Sequence, residues 1–194
     1  MGRDNNRQDF EGWSAIKKFP AGFTLLEILA VLGVLAIVAA LTFPAFSNWI
    51  PVHRLKLAAQ DLYGNFQLAK ASAVDRGQNC SISFYQPIDQ ETYDYVVFID
   101  SDANLEYDPG EKVLVRRMWG ARQFLGISFD KSRGHGDGLT FSKNDDGLPA
   151  ISFQPSGIPV SNSGGLGMGT AYLINKKGKT AKIIVSCSGN IRVE

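Results

Sequence analysis

Lys17 to Phe46 reads KKFPAGFTLLEILAVLGVLAIVAALTFPAF. From Phe23 to Phe46 the only ionisable side chain is Glu27, and Ile28 to Leu41 is apolar apart from Gly33. About 20 such residues cross a bilayer as a helix. A carboxylate at the centre of such a helix costs about 2.5–3.5 kcal/mol, and less near an end, so it needs a cation. No Lys or Arg follows within two helical turns. If the chain were cut after Gly22, Phe23 would carry a free ammonium, and Phe23 and Glu27 stand i, i+4 on one helix face. The same geometry lets Glu27 reach the amine of a neighbouring molecule. A removed secretory signal explains the stretch less well. The stretch before the apolar run is long, carries three acids and includes Lys17-Lys18, and LTFPAFSNWIPVHRL beyond the run offers no persuasive small-residue cleavage site. A plain membrane anchor accounts for the apolar run but not for Glu27.

The flanks fix orientation and compartment. Lys17-Lys18 place the leader in the cytoplasm by the positive-inside rule. The chain beyond about residue 50 then lies outside the inner membrane, where disulfides form. With 194 residues and 44% hydrophobic composition, the chain can bury one domain besides this segment. Residues 1–22 hold Arg3, Arg7, Lys17 and Lys18 against Asp4, Asp9 and Glu11, which accounts for the net charge of +1. The remainder balances 16 basic against 16 acidic residues and gives no electrostatic argument for a nucleic-acid partner.

Lys17-Lys18, then Gly22-Phe23-Thr24-Leu25-Leu26-Glu27 and an apolar helix, resemble the class III leader of type IV prepilins and type II secretion pseudopilins. Gly at the last leader position, Phe at mature position 1, Glu at mature position 5 and Pro44 at mature position 22 all match. The resemblance implies cleavage between Gly22 and Phe23 by a prepilin peptidase and N-methylation of Phe23. It also implies packing of the helices into a filament core, with Glu27 paired to the Phe23 amine of the adjacent subunit.

Pro44 lacks the amide that would bond to the carbonyl of Ala40, so it is expected to bend the helix, and Pro51 repeats this toward Ser47. An amphipathic pattern resumes at once. Leu55, Ala59, Leu62, Phe66, Ala69 and Ala73 share one face, while Lys56, Gln60, Asp61, Asn65, Lys70 and Asp75 fall elsewhere. The pattern predicts one long kinked helix from Phe23 to about Asp75, ~80 Å at 1.5 Å per residue, ended at Arg76-Gly77.

After Gly77 the period becomes two. Cys80, Ile82 and Phe84 alternate with Ser81, Ser83 and Tyr85. Further strands are expected at 93–100, 112–119, 126–129, 139–142, 150–154, 170–175, 180–186 and 190–193. Asn175-Lys176-Lys177-Gly178 reads as a hairpin turn, and 161–170 as a Gly/Ser loop. The expected fold is α+β: a kinked, pilin-like helix followed by antiparallel β-sheets packed as a sandwich. The parts are a leader (1–22), a transmembrane or filament-core helix (23–46), an amphipathic helix half (47–76) and a periplasmic β domain (77–194).

Three stretches of this β region resemble the GspH/FimT group. They are Asp100…Asp102…Asn104…Asp108-Pro109-Gly110-Glu111-Lys112-Val113-Leu114, Ile151-Ser152-Phe153-Gln154-Pro155-Ser156-Gly157, and the closing Ser-Gly-Asn-Ile-Arg-Val. The resemblance implies a minor pilin or pseudopilin. FimT-type members bind DNA through a terminal Gly-Arg-x-Arg. Here the matching positions read Gly189, Asn190, Ile191 and Arg192, leaving Arg192 as the single DNA-contact candidate.

Counted from Asp100 as position 1, oxygen ligands fall at 3 (Asp102), 5 (Asn104), 9 (Asp108) and 12 (Glu111), the spacing of an EF-hand calcium loop. Position 6 is Leu105, where the turn favours Gly, and a solvated polar hairpin is the alternative. Cys80 and Cys187 are compatible with a disulfide closing a loop of about 107 residues, worth about 2–4 kcal/mol, or with two buried thiols. Gly165-Leu166-Gly167-Met168-Gly169 lacks the strand–turn–helix setting of a dinucleotide loop. With only His53 and His135, no catalytic set is spaced convincingly, and no enzyme is expected. Arg116-Arg117 and Lys176-Lys177-Lys179-Lys182 read as solvated strand faces.

The expected function is that of a GspH-like minor pseudopilin of a type II secretion system, near the pseudopilus tip. Its partners would be other pilins, a prepilin peptidase and the inner-membrane assembly platform. It would need no cofactor, calcium being the one candidate. A FimT-like minor type IV pilin serving pilus assembly or DNA uptake is the first alternative. An envelope protein anchored in the inner membrane without a filament role is the second.

Overall fold

A computed structural model describes residues 22–119 and 124–194; the side chains of Leu41 and of residues 43–48 also lie outside the described set. The chain divides into two compact units, Met1–Phe43 and Pro44–Glu194. Helix α1, Leu25–Arg76, is assigned without a break through Pro44 and Pro51. The expected bend at Pro44 falls among the side chains outside the described set. The helix starts two residues later than expected because Thr24 caps it: the Thr24 hydroxyl accepts a hydrogen bond from the Glu27 amide at 3.2 Å. It ends on Gly77, whose φ of 65° supplies the left-handed turn.

In the second unit the apolar stripe of α1 is buried as its spacing required. Leu62, Phe66, Ala69 and Ala73 are fully inaccessible, and Leu55, Ala58 and Ala59 nearly so. Against this stripe stand two antiparallel sheets. One orders β5 (Val113–Arg117), β4 (Tyr95–Asp100), β1 (Asn79–Phe84), β7 (Ala150–Phe153) and β8 (Pro159–Val160). The other orders β11 (Ile191–Val193), β10 (Thr180–Val185), β9 (Gly169–Asn175) and β6 (Ile127–Phe129). A two-stranded ribbon, β2 (Pro87–Ile88) and β3 (Glu91–Thr92), completes the described strands. Helix and both large sheets share one core. Phe66 packs against Phe84 and Phe141, and Phe84 and Phe141 stack with ring centroids 5.2 Å apart.

The strand readings need three corrections. The short β2, β3 and β8 were not foreseen. The segment expected as a strand at 139–142 forms only a bridge from Leu139 to Ala171. It continues the edge begun by β6, with the Thr140 amide donating to Thr170 and the Tyr172 amide to Gly138, then turns into β7. Finally, Ser81 and Ser83 are as buried as their apolar neighbours. β1 is central in its sheet, and a second cluster of Ile88, Val96 and Phe98, with Tyr107 and Val113, packs on the domain away from the main core.

Candidate functional site

The residues that the sequence singles out at the start of α1 occupy a simple environment. Gly22, Phe23 and every residue from Thr24 to Ala40 are exposed. Phe23 is 78% and Leu26 79% accessible, so among the described residues nothing covers this apolar surface. Thr24-x-x-Glu27 places Glu27 at N3 of the helix, where the positive end of the helix dipole favours a negative charge. Among the described residues no ion pair involves Glu27. The cap was not anticipated, although Ser/Thr three residues before Glu is its sequence signature. The arrangement holds one solvent-facing carboxylate one turn beyond Phe23 on an otherwise apolar rod. Residues 1–21 of the expected leader lie outside the described residues. Among the described residues no helix is long and apolar enough to cross a membrane.

The acidic loop between β4 and β5 closes on its own donors. Asp100, at the end of β4, is buried and accepts from the Ser81 hydroxyl at 2.5 Å and from the Leu105 and Asn104 amides at 3.1 and 3.2 Å. Glu111 accepts from the amides of Ser101 at 2.8 Å and Asp108 at 3.2 Å. Carboxylate oxygens of Asp100, Asp102 and Glu111 lie within 4.8 Å of one another. The Asn104 side chain, however, turns its amide nitrogen toward Asp102 and Asp108, at 3.0 and 3.2 Å, while its oxygen accepts from the Glu106 amide. A donor thus occupies a position where a cation would need an oxygen. Leu105 adopts the left-handed turn expected of a glycine, with φ 63°, and buries its side chain. Burial lifts the Asp100 and Glu111 carboxyls above their ordinary values, partly offset by these hydrogen bonds.

Of the two readings left open for the cysteines, the structure has the thiols: Cys80 and Cys187 are both free, Cys80 buried and Cys187 partly so. Cys80 sits in the centre of the five-stranded sheet and faces the core, whereas Cys187 lies in the turn after β10 of the other sheet. Burial pushes the Cys80 thiol up to about 12, which makes it an inert core residue. Arg192, on the edge strand β11, is exposed and held by Glu194 at 3.0 Å, and Glu194 is bound in turn by Lys182 at 2.6 Å.

A polar contact between helix and sheet was missed. Asp61 receives the Arg117 guanidinium at 2.7 Å and the Tyr95 hydroxyl at 2.6 Å, while the Asn65 amide donates to that same hydroxyl at 2.7 Å. The helical pattern placed Asp61 and Asn65 off the apolar face; they flank it and grip the sheet. Burial, then the hydrogen bond to Asp61, raises the Tyr95 hydroxyl above its ordinary range.

The sequence matches known families and proteins. The family model for the type II transport protein GspH matches residues 58–189, and that for the prokaryotic N-terminal methylation motif matches residues 18–43. A pilin-like protein of Thermus thermophilus, PilA1, is 30% identical over 175 residues, covering 89% of this chain and 97% of that protein. Two solved structures are similar at lower level. The type IV minor pilin FimU of Pseudomonas aeruginosa gives a TM-score of 0.45 at 16% identity, over 73% of this chain and 89% of that one. The minor pseudopilin EpsH of the Vibrio cholerae type 2 secretion system gives 0.43 at 14% identity, over 73% and 96%. The methylation motif spans the Gly22–Glu27 segment, and the GspH match runs from Ala58 of the helix stripe through β10: the chain is a type IV pilin-like protein of the GspH family.

Proposed function

We propose that this protein is a minor pseudopilin of a type II secretion system. Prepilin peptidase cuts between Gly22 and Phe23, and Phe23 is then N-methylated. Residues 23–46 hold the chain in the inner membrane in a single pass, with the β domain in the periplasm. The inner-membrane assembly platform passes it into the pseudopilus near the tip, where the domain contacts other minor subunits. Its work is mechanical, with no catalysis. The observation that carries this reading is the exposed Glu27 carboxylate, the only charged side chain between Phe23 and Phe46, one turn beyond Phe23. A methylated Phe23 amine of an adjacent subunit is the cation that would let it enter a filament core.

Co-assembly tests the proposal. Glu27→Gln is expected to insert and be processed but to be absent from sheared filaments; undiminished incorporation would overturn the salt-bridge account. A deletion strain assigns the apparatus. Loss of secretion with intact transformation is expected, and the reverse would transfer the protein to a pilus that takes up DNA.

A further inference from the structure

The β domain, 77–194, holds 12 basic and 13 acidic residues and is nearly balanced, but its charges are unevenly distributed. Three segments meet at the end where the helix enters the second unit. Asn175 donates its side-chain amide to the Pro51 carbonyl at 3.1 Å, Arg54 donates to the Leu125 carbonyl at 3.4 Å, and the Lys176 amide donates to Gly126. Segments 49–60, 124–129 and 175–182 therefore form one end of the domain. They contain Arg54, Lys56, Lys176, Lys177, Lys179 and Lys182 and not one acid. Asp61 and Asp130 stand just beyond these segments, paired with Arg117 and Arg133, and Glu194 is held by Lys182 and Arg192. Lys56, Lys176 and Lys179 are exposed, and no ion pair among the described residues involves them.

Apolar and aromatic groups stand among these cations. Trp49 is 58% and Leu125 49% exposed, Ile50 38%, and Trp49 stacks on His53 with centroids 4.7 Å apart. An open pocket of about 330 Å³ lies between Leu125–Ser128 and Asn175–Lys176. The opposite end, which also holds Arg76, carries an acidic loop. Asp100 pairs in register with Asn79, three residues past the end of the helix, and the loop it begins carries Asp102, Glu106, Asp108 and Glu111 without a basic residue before Lys112. Asp146 joins that loop, its backbone amide donating a hydrogen bond to the Glu106 carboxylate at 2.7 Å.

We propose that the basic, aromatic end is a docking face for an anionic phospholipid surface, the outer leaflet of the membrane in which the apolar helix is held. Two observations select that occupant. Trp49 follows the apolar run at Phe46 by three residues, where an aromatic anchor meets the headgroups. The charge separation turns the acidic loop away from a negative surface and the lysines toward it. This sharpens the reading of the lysine cluster as a solvated strand face: in the membrane-held precursor it is the face covered by lipid. It rests on the membrane-anchor reading. Lys176 and Lys179 clamp the domain to the surface until extraction into the filament breaks the contact.

Lysine footprinting of the full chain in nanodiscs tests this, with an amine-acylating ester and mass spectrometry as the readout. In discs containing phosphatidylglycerol, Lys56, Lys176 and Lys179 are expected to react more slowly than in phosphatidylcholine discs, with Lys112 unchanged in both. A lysine beside an anionic surface multiplies the docked population about fivefold, so Lys176→Gln with Lys179→Gln lowers it ~25-fold and returns Lys56 to its phosphatidylcholine rate. High salt is expected to do the same. Equal labelling in both discs overturns the proposal. Protection that ignores headgroup charge but grows with copies per disc also overturns it, in favour of a second copy as occupant. Failure to insert into either disc, seen on size exclusion before labelling, overturns the anchor reading itself and the proposal with it.

Discussion

One helix carries two surfaces with opposite fates. From Leu25 to Ala40 apolar residues cover every side, and all are exposed. From Leu55 to Ala73 apolar residues keep to one stripe, and that stripe is buried. An apolar stripe has its partner inside the domain, whereas an apolar cylinder needs one from outside, either lipid or other helices. The lone acid of each part follows the same division. Asp61 finds Arg117 and Tyr95 within the chain, while Glu27 has no ion-pair partner among the described residues. The first part is built for assembly and the second for folding.

Substitutions at matched positions break or sharpen this contrast. The largest effect is expected from Phe66→Ala, which empties the junction of helix and both sheets and should cost the domain about 3–5 kcal/mol in denaturant unfolding. Leu35→Ala, on the exposed cylinder, should change that stability by less than about 0.5 kcal/mol. Comparable losses at both positions would erase the distinction. Next, Asp61→Ala leaves Arg117 and Tyr95 without their partner, at an expected cost of about 2–4 kcal/mol in the same assay. Glu27→Ala, the matching change in the first part, should cost the domain nothing.

The smallest of these effects belongs to the acidic loop. Asp100→Asn keeps one acceptor and loses the other, for about 1–2 kcal/mol. The wild-type pH profile has a definite sign. Burial raises Asp94 and Asp100 above 3.8 and Glu111 above 4.5. Their contribution is therefore fully present below those ordinary values and is lost as pH rises through the raised ones. Urea midpoints across mildly acidic pH should fall with rising pH for the wild type and more gently for Asp100→Asn. Because Asn104 presents a donor to the loop's acids, added calcium is expected to leave those midpoints unchanged; a rise with calcium would mean that the loop rearranges around the ion.

Much of this was legible in the sequence where one period governed one environment. Leu55, Ala59, Leu62, Phe66, Ala69 and Ala73 were readable because their partners lie on a single side. β9 and β10 were readable because Asn175-Lys176-Lys177-Gly178 marks the turn between them, Gly178 taking φ 73°. The reading failed where burial came from distant segments. Ser81 and Ser83 alternate like outward residues, yet β1 has sheet neighbours on both sides. Cys80 and Cys187 could be read as a pair or as two thiols, because the sequence does not show that one lies in the centre of a sheet and the other in the turn after β10. Asp61 looked solvated because Arg117 is 56 residues away. The basic end was invisible for the same reason: its lysines and Arg54 come from segments that meet only in the fold.

The central claim is that the first part of the helix is completed by a cation made by proteolysis and supplied by a neighbour. The intact mass of the protein purified from a strain with prepilin peptidase tests it most directly. The account predicts a chain that begins at Phe23 and carries one added methyl group. A chain that retains residues 1–22, or one cut at another bond, would contradict it.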